Sequence, residues 1–159
     1  MEKVAKFELV SLKEWEKDTD NLEVYHTLKL PKRATKLSAG YDFFAPYDFT
    51  LAPGETIKIP TGIRCKMKED YVLLLFPRSS LGFKYRLGLD NTIGVIDADY
   101  YNALNEGHIF IKLTNNSKDK TLTIKQGEGF AQGIFIAYGI TVDDEVETTR
   151  TGGFGSTNK

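Results

Sequence analysis

Thr56-Ile57-Lys58-Ile59-Pro60-Thr61-Gly62-Ile63-Arg64-Cys65-Lys66-Met67 is the stretch on which the fold turns. Ile63, Cys65 and Met67 alternate with Arg64, Lys66 and Lys68, so a strand over 62–67 carries its apolar set on one face and its cations on the other. That pattern belongs to a sheet with one buried face, and it sends Cys65 inside. A second strand over 56–59 is separated from the first by Pro60-Thr61-Gly62, because proline fixes φ and glycine accepts turn geometries.

Outward from this pair, strands are predicted over 41–45, 87–96, 109–113, 121–125 and 130–137, and the stretch 71–76 is apolar enough to be covered on both faces. Residues 3–10 read as a strand, 11–17 as a short helix and 79–84 as a short helical turn. Many short strands with turn signals and no long helical period predict an all-β sandwich or barrel rather than an α/β fold. The 159 residues make one domain, without an internal repeat or a convincing linker. From Arg150 onward the chain changes: three glycines and one aromatic are too little apolar material for a core, which marks a mobile end or a closing arm.

Charge and composition exclude several classes. With 21 Lys and Arg against 22 Asp and Glu, a broadly basic nucleic-acid binder and a highly charged disordered chain are both disfavoured. The single cysteine cannot form an intrachain disulfide or a four-cysteine zinc cluster, which fits an intracellular, cytoplasmic setting. The longest apolar run, Val72 to Pro77, falls far short of the roughly 20 residues of a membrane span, and no signal-like core opens the chain, so neither membrane nor export segment is expected.

Four places carry candidate chemistry. Pro77-Arg78-Ser79-Ser80-Leu81-Gly82 follows an apolar strand and combines a rigid guanidinium fork with two hydroxyls, a donor set suited to phosphate oxygens. The plainer alternative is that Ser79 caps a turn while Arg78 makes a surface ion pair. Asp97 and Asp99 follow Gly94-Val95-Ile96, and if the strand continues they share a side about 6–7 Å apart. One can then orient water, or both can serve a hydrated Mg²⁺, or they are a surface acidic pair in a turn. Asp42, after Ser38-Ala39-Gly40-Tyr41, serves a site or satisfies a turn, and Tyr100 is equally ambiguous. Gln132, an amide inside the apolar run 130–135, needs a partner if buried and so either binds ligand or repairs the sheet. His26 and His108 lie apart with no cysteine cluster beside them and are assigned neither zinc nor catalysis.

Taken together these stretches resemble the five motifs of the homotrimeric dUTP diphosphatase (dUTPase) family. Ser38-Ala39-Gly40-Tyr41-Asp42 is similar to the first, Pro77-Arg78-Ser79-Ser80 to the second and Gly94-Val95-Ile96-Asp97-Ala98-Asp99-Tyr100 to the third. Gly127-Glu128-Gly129-Phe130-Ala131-Gln132 resembles the fourth, and Arg150-Thr151-Gly152-Gly153-Phe154-Gly155-Ser156-Thr157 the fifth. The likeness runs in the correct order from Ser38 to the C-terminus, and its combination is far more specific than any one motif.

The resemblance implies a β-jelly-roll core over 1–149 and a flexible C-terminal arm over 150–159 that closes a neighbouring subunit's active site. The implied activity is hydrolysis of dUTP to dUMP and pyrophosphate, which limits uracil incorporation into DNA and supplies dUMP for thymidylate synthesis. Asp97 matches the aspartate that activates water for attack at the α-phosphorus, and Tyr100 matches the platform under deoxyribose. Asn91 and its hairpin fall near uracil; Arg78, Ser79, Ser80 and Gln132 fall around the triphosphate. Arg150 matches the arm arginine near the γ-phosphate, Phe154 the aromatic over uracil, and Ser156 and Thr157 the phosphate-contacting segment after it. Mg²⁺ is implied as cofactor, held chiefly by the phosphates and water, with Asp42 as a metal residue acting directly or through water. The implied partners are dUTP and two further copies of the chain, with no membrane and no direct nucleic-acid binding.

Two features depart from the commonest family pattern. Residues 101–108 replace a short Gly-Glu continuation with an expanded loop, similar to that of some Gram-positive bacterial and phage members, and Gly129-Phe130 stands in place of an Arg-Ile pair. Two other readings stay open from sequence: a dCTP deaminase, which shares the fold, and a nucleotide-responsive interaction protein without turnover.

Overall fold

The structure, a computed structural model, describes residues 1–152. The expected all-β architecture is present, punctuated by short helices. In chain order the elements are β1 (Ala5–Leu9), α1 (Leu12–Trp15), α2 (Leu22–Tyr25), β2 (Lys32–Arg33), β3 (Tyr41–Phe44), β4 (Phe49–Leu51), β5 (Thr56–Pro60) and β6 (Ile63–Met67). They continue with β7 (Tyr71–Pro77), α3 (Ser79–Tyr85), β8 (Leu87–Leu89), β9 (Gly94–Ile96), a 3₁₀ turn (Ala98–Asn102), β10 (Phe110–Asn115), β11 (Leu122–Ile124) and β12 (Gly129–Ala137). Four sheets form, in the orders β2-β3-β12-β7-β9, β5-β10-β8, β1-β6 and β11-β4, all antiparallel. Their inner faces enclose the core of a jelly roll.

The period-two reading of β6 holds: Ile63, Cys65 and Met67 are buried while Lys66 is exposed. Burial pushes the Cys65 thiol up to about 12, with the Glu8 carboxylate adding to the effect, so it is a core side chain and no nucleophile. Strand β7 differs from expectation. Leu73 and Leu75 are fully buried, but Val72, Leu74 and Phe76 on the other face are only partly covered, because no second layer among the described residues lies over them. In register beside them stand Ile134 opposite Leu74, Ile136 opposite Val72 and Val95 opposite Leu74, giving the outer face of the five-stranded sheet a continuous apolar patch.

The single strand expected over 87–96 is in fact two. The chain turns at Asp90-Asn91, closed by a Leu89–Thr92 bridge with Thr92 at φ 68, so β8 joins β10 while β9 joins β7. Positive φ is costly for a β-branched residue, and such strain clusters at functional sites. The strand also ends at Ile96, so Asp97 and Asp99 do not alternate along a strand; Asp97 precedes the 3₁₀ turn and Asp99 lies in its first turn.

The N-terminal segment and the expanded loop 101–108 explain each other. Trp15, Val10 and Val24 form a small second core, and Ser11 caps α1 by accepting from the Glu14 N–H. Glu106 accepts from both the backbone N–H and the hydroxyl of Ser11 at 2.8 and 2.5 Å, Tyr101 donates to Glu8 at 2.5 Å, and Arg64 lies over the Tyr101 ring at 3.7 Å. His108 is fully buried against Phe110, its Nε2 accepting from the Gly62 N–H at 2.9 Å. The loop is thus a packed element.

Candidate active site

Adjacent strands gather the first, second and fourth polar clusters. Asp42 on β3 pairs in register with Gln132 on β12, and Gln132 pairs with Phe76 on β7, two residues before Arg78. Arg78 Nε lies 3.3 Å from Asp42 Oδ1, and Arg78 Nη1 donates to the Gly129 carbonyl at 3.2 Å. Gln132 Nε2 donates to the Pro77 carbonyl at 3.2 Å, which gives this half-buried amide the partner it requires. Its Oε1 packs so close to Gly40 that a Cβ at position 40 would displace it. Ser79 and Ser80 open α3 and are exposed, and among the described residues neither hydroxyl has a partner. The residue preceding α3 is Arg78, so Ser79 does not cap the helix, whereas the ion pair considered for Arg78 does form, with Asp42.

A second cluster lies at the opposite end of β7. Ile96 is level with Leu73, so Asp97 is level with about Val72, six residues and on the order of 20 Å along the strand from Arg78. Here Arg150 bridges both acids, its Nη2 2.7 Å from Asp97 and its Nε 2.8 Å from Asp99, while its own side chain is 13% exposed. The Asp99 carboxylate raises the pKa of Arg150 further. These residues line a cleft of about 540 Å³ together with Lys66, Glu69 and Tyr138.

Tyr100 sits between this cleft and a third feature. The residue is 4% exposed, the Arg150 guanidinium carbon lies 6.0 Å from its ring centroid, and burial raises its phenol pKa. The hydroxyl donates to the His108 carbonyl at 2.6 Å and accepts from Asn105 Nδ2 at 2.8 Å. Asn105 in turn lines a pocket of about 390 Å³ with Asn91, Gly94, Ile96, Leu75 and Phe110. Asn91 therefore stands at the β8–β9 turn on the rim of a largely apolar cavity. Asn105 escaped the sequence reading; the one signal for it was its place in a loop without a family counterpart of the usual length.

Phe154, Ser156 and Thr157 lie outside the described residues. Among the described residues no three His, Cys, Asp or Glu side chains converge as a metal cage, and Asp42 Oδ1 faces Arg78. No described helix is long and apolar enough to cross a membrane.

The dUTPase of phage phi11 of S. aureus superimposes with a TM-score of 0.67 over 92% of this chain and 97% of its own at 23% identity, which establishes the fold. The dUTPase from Streptococcus mutans matches with a TM-score of 0.66 at 38% identity, over 87% of this chain and 98% of its own. The sequence profile of the dUTPase family covers residues 26–158. A deoxyuridine 5'-triphosphate nucleotidohydrolase of Lactococcus lactis is 44% identical over 133 residues, 82% of this chain and 88% of the relative, and that of Dictyoglomus turgidum is 40% identical over 139 residues, 82% and 90% of the two chains. The chain belongs to the dUTPase family and is an enzyme of that family.

Proposed function

We propose that this enzyme hydrolyses dUTP at the α-phosphorus to dUMP and pyrophosphate, in a site assembled between copies of the chain. The separation of the two clusters along β7 carries the assembled site. The phosphate-suited donors Arg78, Ser79, Ser80 and Gln132 and the carboxylate of Asp97 occupy opposite ends of β7, about 20 Å apart along the strand, so no one chain holds both around a single phosphorus. Between them the outer sheet face leaves Val95 54% and Ile136 43% exposed beside Leu74 and Phe76, an apolar surface suited to burial against other copies. A homotrimer of this family's kind closes both gaps at once.

In this reading Asp97 accepts a proton from a water that attacks the α-phosphorus in line; the Pα–O bond to the β-phosphate breaks and pyrophosphate leaves with its electron pair. Arg78, the two serine hydroxyls and Gln132 from an adjacent chain hold the phosphate oxygens, so positioning and charge stabilisation do most of the work. Arg150 exchanges Asp97 and Asp99 for the γ-phosphate, which frees the carboxylate for water. The arm, with Phe154 over uracil and Ser156 and Thr157 on phosphate, completes a neighbour's site.

The nucleoside occupies the Asn91 pocket. Packing of the sugar on Tyr100 excludes a ribose 2'-OH, cytosine presents the reversed donor and acceptor pattern, and the thymine methyl is excluded sterically. Asp42 faces Arg78 through Oδ1 alone, and Mg²⁺ is read as bound chiefly through the phosphates and water. When bound it lowers charge repulsion and stabilises the leaving pyrophosphate.

The test measures dUMP and pyrophosphate from dUTP beside dCTP, dTTP and UTP. Selective release from dUTP is expected. Ammonia from dCTP would establish the deaminase reading, and nucleotide binding without turnover of any substrate would establish a nonenzymatic role.

A further inference from the structure

We infer that Asn105, in the expanded loop, is a positioning residue of the nucleoside pocket, acting through the Tyr100 phenol to set discrimination between deoxyribose and ribose. This rests on the reading of Tyr100 as the surface beneath the sugar. The loop's part in that surface follows from hydrogen-bond accounting. A phenol has one proton to give. Tyr100 gives it to the His108 carbonyl at 2.6 Å, so its oxygen can only accept from any further partner, and Asn105 Nδ2 supplies that donor at 2.8 Å.

The orientation of the Asn105 amide is fixed independently. Its Oδ1 accepts from the Gly107 N–H at 3.1 Å, so a flipped amide would put its NH₂ against one donor and its oxygen against a phenol whose proton is already used. Gly107 itself is at φ 72, and a Cβ there would fall 2.6 Å from the Tyr100 carbonyl oxygen and 2.8 Å from the Tyr101 Cα. The backbone of the loop is therefore folded directly onto the backbone of the residue whose side chain it holds. The far side of the loop is tied down by Glu106 on Ser11 and by His108 on Gly62, which makes it a rigid support.

Asn105 also stands in the wall of the 390 Å³ pocket, on the same cavity as Asn91, Gly94 and Ile96. One side chain thus contacts both the phenol and the space assigned to the nucleoside. Loss of this donor removes the hydrogen bond that Asn105 gives the Tyr100 oxygen and loosens the hold on the ring's tilt. A tilt of this kind changes the space beside the sugar far more than it changes the phosphate contacts, which lie on other elements.

The experiment is a double-mutant cycle between Asn105→Leu and Tyr100→Phe, read as the ratio of kcat/KM for dUTP to that for UTP, with thermal melting in parallel. In the wild-type background Asn105→Leu is expected to lower this ratio about tenfold. In the Tyr100→Phe background, where the phenol oxygen is gone, the same change is expected to alter it less than about twofold. Equal losses in both backgrounds, or a lowered melting temperature with an unaltered ratio, would overturn the inference. Should Asn105→Leu fail to fold, Asn105→Asp keeps the acceptor for Gly107 and removes the donor, and the same ratio decides. Tyr100→Ala separates the two levels. If it leaves the ratio unchanged, the sugar-platform reading fails and the inference goes with it; if it collapses the ratio while Asn105→Leu does not, only the role of Asn105 is lost.

Discussion

The two ends of β7 differ in how completely their polar groups are satisfied. At the end near Val72, Asp97 and Asp99 share Arg150, and the Tyr100 hydroxyl both donates and accepts within an enclosed setting. At the end near Pro77, Ser79 and Ser80 are exposed without partners among the described residues, and Arg78 holds an ion pair at 3.3 Å and the Gly129 carbonyl at 3.2 Å. Exposed donors cost little while water serves them, and they remain available. Buried groups must be paired when the chain folds. At the closed end it is the Tyr100 phenol that is buried and paired, while Asp97 and Asp99 stay 52% and 55% exposed; the open end is a set of donors awaiting phosphate.

The largest test of this contrast is Asp97→Asn. The expected result is a fall of about 10²–10⁴-fold in single-turnover cleavage with nucleotide affinity largely kept, since the amide cannot take the proton. Cleavage near the wild-type rate would remove Asp97 from water activation. The opposite end supplies the complement: Asp97→Asn chains mixed with Arg78→Ala chains are each expected to be inactive alone. If one site draws these residues from different chains, roughly a quarter of sites in a random equal mixture regain both. Verified mixed trimers without turnover would break the assembled-site reading.

A smaller effect is expected between the two ends. Val95 is 54% exposed in one chain, so Val95→Glu should leave the folded monomer within about 0.5 kcal/mol of wild type. Against another copy the same carboxylate is buried unpaired, at about 3 kcal/mol, or roughly a hundredfold weaker association. Sedimentation shows the difference directly, and an unchanged oligomer would mean that this sheet face is not the interface.

The same contrast explains what the sequence disclosed. Strand β6 was legible because burial of Ile63, Cys65 and Met67 is written locally, at a period of two. The Arg78 and Asp97 clusters were legible because their chemistry is short-range in sequence. The break within 87–96 was obscured because Leu87, Leu89 and Ile96 are all buried yet serve two sheets, and only Asp90-Asn91 marks the turn. The loop 101–108 was opaque for a different reason. Its partners Ser11 and Glu8 lie 95 and 93 residues away, and pairings at that range leave no local pattern. Likewise, Val72, Leu74 and Phe76 read as doubly covered because an unbroken apolar run does not say which face its own chain covers.

The finest probe of the closed end is its pH dependence, through His108. Burial lowers the His108 pKa, opposed by Asp18, whose Oδ2 is 3.4 Å from Nδ1, and by the more distant Glu14 and Glu106. Because Nε2 accepts from the Gly62 N–H, the neutral ring carries its proton on Nδ1, and protonating the ring destroys that acceptor. With the folded pKa below the ordinary value of 6.5, the unfolded chain takes up a proton first as pH falls. Stability is therefore full above about pH 6.5 and declines below it, by at most about 1.4 kcal/mol per pH unit for one proton, until the folded ring also titrates. The lowered carboxyls of Glu106 and Glu8 begin to contribute only as pH falls through about 4.5, so the interval between pH 6.5 and 5 isolates the histidine. Thermal melting across that interval should slope for the wild type and flatten for His108→Gln, whose lower melting temperature should no longer depend on pH there. An equal slope in both proteins would place the titrating group elsewhere and detach His108 from the support beneath Tyr100.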